Sequence, residues 1–239
     1  MNELTHGLPA LPRAGLDGRV ARARPGAAAQ AMEIGCVSDQ YPDRLRLPLA
    51  FDPARLEADL AQLDEGAWIK HFVNRNYEGD WSVLPLRAAA GATHPVMTIY
   101  SDPGATAFED TPHLARTPYF RAVLAAFRCP LQAVRLMRLA AGSVIKEHND
   151  GDHDAEHGSA RLHVPITTGP EVEFLLARKP VRMAPGSVWY LRVSENHSVA
   201  NRGRDARVHL VIDALVNDWL LDAFARALSD AARAPGAPA

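Results

Sequence analysis

The segment KEHNDGDHDAEHG, from Lys146 to Gly158, gathers the imidazoles of His148, His153 and His157 with the carboxylates of Glu147, Asp150, Asp152, Asp154 and Glu156. Neutral imidazoles and ionised carboxylates are the side chains that ligate divalent transition metals. If SVIKEHND is a strand, alternation turns His148 and Asp150 to one face and Asn149 to the other. Same-face neighbours on a strand lie about 6.5–7 Å apart, near enough for both to reach one ion. A third ligand is available in ENHSVANRG, where His197 opens a new strand after the aromatic run SVWYL. Two histidines and one carboxylate leave coordination positions open. That suits non-haem Fe(II), which must also bind a cosubstrate and O2, and it equally suits catalytic zinc. The ordinary alternatives are a surface His–Asp hydrogen bond and a turn-capping His197.

Ten residues after His197, across the turn RGRD, stands Arg207. A hairpin there returns it beside His197. An arginine inside ARVHLVIDA is costly in a barrel interior unless it holds an anion. The planar guanidinium is then a bidentate clamp for a carboxylate; otherwise it snorkels outward from the strand start. His209 shares a face with Arg207, so it is either a substrate contact lining the pocket or a hydrogen-bonded core histidine. Arg87, ending the strand LPLRA before a small-residue loop, and Arg138, inside VRLMRLA, are further candidates for a substrate anion. Trp189 and Tyr190 in SVWYL read as core. The remainder of the opening segment, GDHDAEHG, reads as a solvated loop at the barrel mouth, with His153 and His157 outside the ligand set.

These residues need a scaffold. VRLMRLA, SVIKEHN, ARLHVPITT, EVEFLLA, SVWYLRV, HSVAN and ARVHLVIDA are short, β-branched or aromatic runs separated by Gly, Pro and Asn turns. Many short strands with regular turn signals specify a sandwich or barrel rather than βαβ units; a jelly-roll of about eight strands fits. Upstream, DPARLEADLAQLDEG is an amphipathic helix with Asp52 as N-cap and Pro53 at its first position. TPYFRAVLAAFRC is a second helix entered through Thr117, and WSVLPLRA and PVMTIYS read as strands. The expected class is therefore mainly β with flanking helices. Residues 1–45, rich in Ala, Arg, Gly and Pro, read as a disordered or loosely packed leader. A single domain is expected over 46–228, with its jelly-roll core at about 130–216 and a flexible tail over 229–239.

Composition narrows the partners. With 26 basic and 28 acidic residues and a net charge of −2, no field of one sign exists to steer nucleic acid or an anionic membrane. No apolar run is long enough to span a bilayer, and MNELTHGLPALPRAG does not read as a secretory signal. Cys36 and Cys129, far apart and without metal-type spacing, point to a reducing cytoplasm.

The order His-x-Asp, some fifty residues, His, ten residues, Arg resembles the Fe(II)/2-oxoglutarate-dependent dioxygenases. GSVIKEHNDG, ARLHVPITTG and APGSVWYLRVSENHSVANRGRDARVHLVID together resemble the aspartyl/asparaginyl β-hydroxylase-like branch, which includes bacterial proline hydroxylases. The likeness is close over about 130–220 and looser at YEGDWSVLPLRA. It implies a double-stranded β-helix of the cupin-like kind, with Fe(II) held by His148, Asp150 and His197. It implies that Arg207 binds the distal carboxylate of 2-oxoglutarate, with cosubstrate contacts from His163 and Arg161 on ARLHVPI. Some members lack the acidic ligand; this chain keeps Asp150. The implied reaction consumes O2, converts 2-oxoglutarate to succinate and CO2, and hydroxylates a C–H of an amino acid or amino-acid-like residue. Two rival classes remain at this point: a non-redox cupin-like small-ligand binder and a metal-dependent hydrolase.

Overall fold

The computed structural model describes residues 41–151 and 153–233. Its strands, in chain order, are β1 (Arg44–Ala50), β2 (Ile69–Lys70), β3 (Tyr77–Glu78), β4 (Trp81–Ala89), β5 (Phe108–Asp110), β6 (Leu131–Leu139), β7 (Val144–His148), β8 (Ser159–Thr167), β9 (Val172–Leu176), β10 (Lys179–Pro180), β11 (Ser187–Leu191), β12 (His197–Asn201) and β13 (Arg207–Leu215). The helices are α1 (Pro53–Leu60), α2 (Pro95–Ile99), α3 (Pro112–Ala115), α4 (Pro118–Ala125) and α5 (Asp218–Arg233). Two antiparallel sheets result: a major one in the order β1-β11-β8-β13-β6-β4-β2, with β5 on β4, and a minor one in the order β10-β9-β12-β7-β3. This is the expected jelly-roll, a mainly β fold with flanking helices.

The three central strands of the major sheet are buried on both faces, and their residues divide by parity. On β8, Ala160, Leu162, Val164 and Ile166 enter a large apolar core with Leu210 and Ile212 of β13 and Leu136 of β6. Leu56 of α1, Phe120 of α4 and Phe224 of α5 belong to that same core. Alternation therefore turns the intervening residues Arg135, Arg161, His163, Arg207, His209 and Asp213 towards the minor sheet. A second apolar cluster, including Trp81, Leu139, Ile145, Phe174 and Val199, fills part of the space between the sheets. Polar side chains line the rest.

Several local expectations change. PVMTIYS is helical over Pro95–Ile99, because Pro95 pre-sets the first turn and His94 Nδ1 accepts from Val96 N, outweighing the β-branched composition. Asp52 caps α1 as expected. Thr117, by contrast, makes no side-chain cap on α4: its hydroxyl donates back to the carbonyls of His113 and Leu114. The Asp59 carboxylate of α1 instead accepts from Phe120 N at 2.8 Å. Most of the leader expected over 1–45 lies outside the described residues. Its end does not behave as a leader: β1 begins at Arg44, and Tyr41 packs edge-on against Phe224 at 5.3 Å. Helix α5 runs on to Arg233, past the expected start of the tail, carrying Leu220, Phe224 and Ala227 into the core. No helix among the described residues is long and apolar enough to cross a membrane.

Candidate functional site

A cleft of about 720 Å³ opens between the two sheets. On its minor-sheet side, β12 pairs antiparallel with β7, and His197 sits directly opposite His148. Their rings lie 4.4 Å apart, centre to centre. β7 ends at His148, so Asp150 is not held by strand alternation; its backbone N–H donates to the Val193 carbonyl at 2.9 Å. Asp150 Oδ1 thereby comes to 3.5 Å from His148 Nε2. One ligand atom from each of His148, Asp150 and His197 falls within 4.8 Å of the other two.

The donor set fits a divalent transition metal. His148 Nδ1 faces the Lys146 carbonyl at 2.7 Å and His197 Nδ1 faces the Glu195 carbonyl at 3.0 Å. A carbonyl only accepts, so each Nδ1 carries the proton and each Nε2 keeps a free lone pair, the tautomer a metal requires. Burial pushes His197 down to about 4 against the pull of the Asp150 carboxylate, keeping the ring neutral. Burial opposes ionisation of Asp150 too, but the Arg161 guanidinium beside it outweighs that and holds the carboxyl below its usual range.

The major sheet supplies the cations. Arg207 does not return beside His197 in a hairpin. β12 belongs to the minor sheet and β13 to the major one, so the turn between them crosses over and sets the two residues on opposite sides of the cleft. Arg207 is buried, with its Nη2 donating to His209 Nδ1 at 2.8 Å. Its Nε has no hydrogen-bond partner among the described residues, and no ion pair reaches the guanidinium there. Burial alone pulls it down to about 9. His209 is thus an acceptor behind Arg207 rather than a residue of the cleft wall. His163 lines the cleft, and its buried Nε2 has no hydrogen-bond partner among the described residues.

Arg161, expected on the cosubstrate, is engaged by protein carboxylates instead. Its Nε and Nη2 reach Asp213 at 2.6 and 3.1 Å, while Nη1 pairs with Asp150 Oδ2. Asp213 also pairs with Arg135 and accepts from Ser101 Oγ at 2.7 Å. Burial works against the Asp213 carboxylate, but the two guanidinium groups hold it well below the usual range. Arg135, Asp213 and Ser101 were not expected from the sequence. Parity with Arg207 is the signal that exposes Asp213, since residues 207, 209, 211 and 213 share one strand face.

Two other expected residues lie outside the cleft. Arg87 meets Asp110 at 2.6 Å and donates to the carbonyls of Leu131 and Phe108, because β5 forms alongside β4 and places Asp110 opposite it. Arg138 stands three residues from Arg135 and so faces the other way; it pairs with Glu65 at 2.6 Å and lies over the Trp68 ring. The rim holds aromatic residues that sequence reasoning passed over. His71 stacks on Trp81 at 3.6 Å, and the half-exposed Phe72 and Tyr100 meet edge-to-face at 5.8 Å.

The loop after Asp150 is less solvated than expected, since Asp154 and Ala155 are buried. His153 lines the cleft with Nδ1 3.2 Å from Ser159 Oγ, and His157 Nδ1 meets Asp154 at 2.5 Å. Neither belongs to the converging ligand set. Alanine at both positions is expected to leave metal affinity unchanged in a Co(II) titration. Loss of metal in that double variant would show that the wrong histidines have been chosen.

Over 165 residues the chain is 26% identical to L-proline cis-4-hydroxylase of Rhizobium meliloti (strain 1021), covering 68% of this chain and 57% of that protein. Over 168 residues it is 24% identical to L-proline cis-3-hydroxylase 2 of a Streptomyces species, covering 69% and 57%. The chain therefore spans a little over half the length of these curated relatives. A solved prolyl-4-hydroxylase of Pseudomonas putida aligns with a TM-score of 0.47 at 14% identity, over 73% of this chain and 93% of that one. Residues 52–216, more than half of the chain, match the Aspartyl/Asparaginyl beta-hydroxylase family, and the chain belongs to that family.

Proposed function

We propose that this protein is an Fe(II)- and 2-oxoglutarate-dependent dioxygenase that hydroxylates a C–H of an amino acid or amino-acid-like residue. The observation that carries the reading is Arg207: a buried guanidinium whose Nε has no partner among the described residues, facing the same cleft as the convergent His148, Asp150 and His197. A buried cation without an anion is unfavourable by itself, and it becomes favourable when a ligand brings the carboxylate.

In this reading His148, Asp150 and His197 hold Fe(II), and Arg207 binds the distal carboxylate of 2-oxoglutarate, with His163 beside it. Bound Fe(II) and 2-oxoglutarate supply the oxidising chemistry with O2, releasing succinate and CO2. The chain's own part is to bind, orient and exclude water. His209 holds one edge of Arg207 and leaves the rest of the guanidinium for the dicarboxylate. The cleft walls bury three arginines, Arg135, Arg161 and Arg207, against two carboxylates, Asp150 and Asp213. A ferrous ion and a dicarboxylate cancel one another, so one positive charge stays in excess. A free amino acid is zwitterionic and adds no net charge, but its carboxylate can pair locally with that excess, and the relatives named for acting on L-proline support this substrate class. The aromatic rim of Phe72 and Tyr100 offers an apolar surface to the rest of such a molecule.

The hydrolase alternative needs a base beside the metal. Glu147, the carboxylate next to His148 in sequence, pairs instead with Arg178. A cytoplasmic location belongs to the same reading, in keeping with a sequence of two cysteines set far apart. The test is succinate release: purified protein with Fe(II), O2 and 2-oxoglutarate should form succinate, faster when the correct amino acid from a screened set is added, with a product heavier by one oxygen. Fe(II)-independent turnover, or no succinate with any amino acid or short peptide, would overturn the reading.

A further inference from the structure

Arg161 is almost fully buried, and each of its three guanidinium nitrogens is directed at a protein acceptor. Nε and Nη2 grip Asp213, Nη2 also reaches Ser101 Oγ at 3.2 Å, and Nη1 pairs with Asp150 Oδ2. The grip on Asp213 is built into the sheet, because Arg161 and Asp213 are register partners on adjacent antiparallel strands. On the other side of β13, Arg135 of β6 pairs with the same Asp213 and donates to the Ile99 carbonyl at 2.9 Å. A planar fork seated on one carboxylate cannot swing, so the direction of Nη1 is set by Asp213. That nitrogen crosses from the major sheet to a residue that follows β7 of the minor sheet. Asp150 lies beyond the strand end, tethered through its backbone at one hydrogen bond to Val193, and its side chain is 29% exposed. Within the minor sheet that carboxylate meets His148, whose Nε2 lies 3.5 Å from Oδ1.

We infer that Arg161 is a positioning residue of the metal centre: braced by Asp213 and Arg135, it occupies Oδ2 of Asp150 so that Oδ1 alone is presented to the ion. The inference rests on His148, Asp150 and His197 being the metal ligands, and it removes Arg161 from the cosubstrate contacts that family resemblance implies. The geometry is consistent, since Oδ1 is the oxygen that faces His148 Nε2, at 3.5 Å. The brace has two opposing electrostatic effects. A guanidinium on the ligand lowers its basicity towards a cation. It also keeps the carboxylate correctly turned before any metal arrives. Orientation dominates in general, because loss of such outer partners lowers metal affinity by about 10–100-fold.

The experiment is a Co(II) titration of the whole chain followed by its visible d–d bands, with thermal unfolding as a check of folding. Arg161→Met, which keeps the volume and removes the fork, is expected to weaken Co(II) binding about 10–100-fold. It should also change the intensity of the d–d bands, as the freed carboxylate offers both oxygens. Arg161→Lys, which keeps the charge without the fork, is expected to fall between Arg161→Met and the parent chain. His197→Ala is the reference and should lose Co(II) outright. Unchanged or tighter Co(II) binding by Arg161→Met, with His197→Ala inactive in binding, overturns the positioning role and leaves the metal site standing. Parent-like binding by His197→Ala overturns the metal site and this inference together. If Arg161→Met does not fold, Arg161→Lys decides: parent-like affinity with parent-like d–d bands overturns the role.

Discussion

Arg207→Ala is expected to weaken 2-oxoglutarate binding by about 30- to several-thousand-fold, while leaving metal affinity near that of the parent. Truncating one partner of a buried charge-assisted pair typically costs about 2–5 kcal/mol, which corresponds to that range in dissociation constant. The upper part of the range is favoured here, because Arg207 is buried and, although burial pulls it down to about 9, it stays protonated at neutral pH, so the dicarboxylate meets a desolvated cation. Arg207→Lys should recover part of the loss, since an ammonium supplies charge without the planar fork. Stability gives an independent readout. Among the described residues no carboxylate reaches the buried Arg207 guanidinium, so Arg207→Met, which preserves most of the volume, should melt no lower than the parent. What it should lose is the rise in melting temperature on adding 2-oxoglutarate, which follows ligand concentration over dissociation constant. An anaerobic titration showing an unchanged 2-oxoglutarate dissociation constant in a folded Arg207→Ala protein would remove the cosubstrate assignment, while the metal site could survive.

That experiment tests a residue whose importance was legible in the chain itself, and the reason is periodicity. ARVHLVIDA and ARLHVPITT are apolar at every second position, so a charge at an odd one must face the other side of a doubly covered sheet. The same rule, applied further, would have found Asp213 and separated Arg135 from Arg138. It was not decisive on sequence alone because two arginines three residues apart face opposite ways, and only the pairing of β6 with β13 and β4 settles which one is inward. Arg87 failed differently. Its strand was read correctly, but the short β5 that supplies Asp110 has too weak a pattern to register as a strand. PVMTIYS failed because capping by His94 and Pro95 overrode composition. The crossover after β12 was invisible for a further reason: a turn signal such as NRGRD says that the chain reverses, not which sheet it enters. The approach of His148 and His197, in contrast, needed only that β7 and β12 be neighbours, which the jelly-roll order supplies; Asp150 joins them through its backbone bond to Val193 beyond the strand end.

His148→Ala and His197→Ala are expected to abolish turnover and to remove detectable metal from the purified chain. The site offers three protein ligands in all, and ferrous iron is labile, so removing one leaves two donors for an ion that must also accept a cosubstrate. The two variants should differ in their effect on the fold. His148 is partly exposed at the end of β7, and its loss breaks one side-chain bond to the Lys146 carbonyl. His197 is buried, stacked parallel to Phe174 at 6.2 Å and paired across the sheet with His148. Its replacement leaves a cavity beside Phe174, so the metal-free His197→Ala chain should melt below metal-free His148→Ala. His197→Gln, whose amide oxygen occupies roughly the place of Nε2, separates the two roles. It should restore part of the melting temperature of the metal-free chain and little of the metal affinity, since a neutral amide is a poor donor to a borderline transition-metal ion. Metal content by elemental analysis, titration with Co(II) and thermal unfolding of each chain with and without metal make the comparison. Parent-like turnover in either alanine variant would sink the three-ligand assignment, whatever the melting temperatures show.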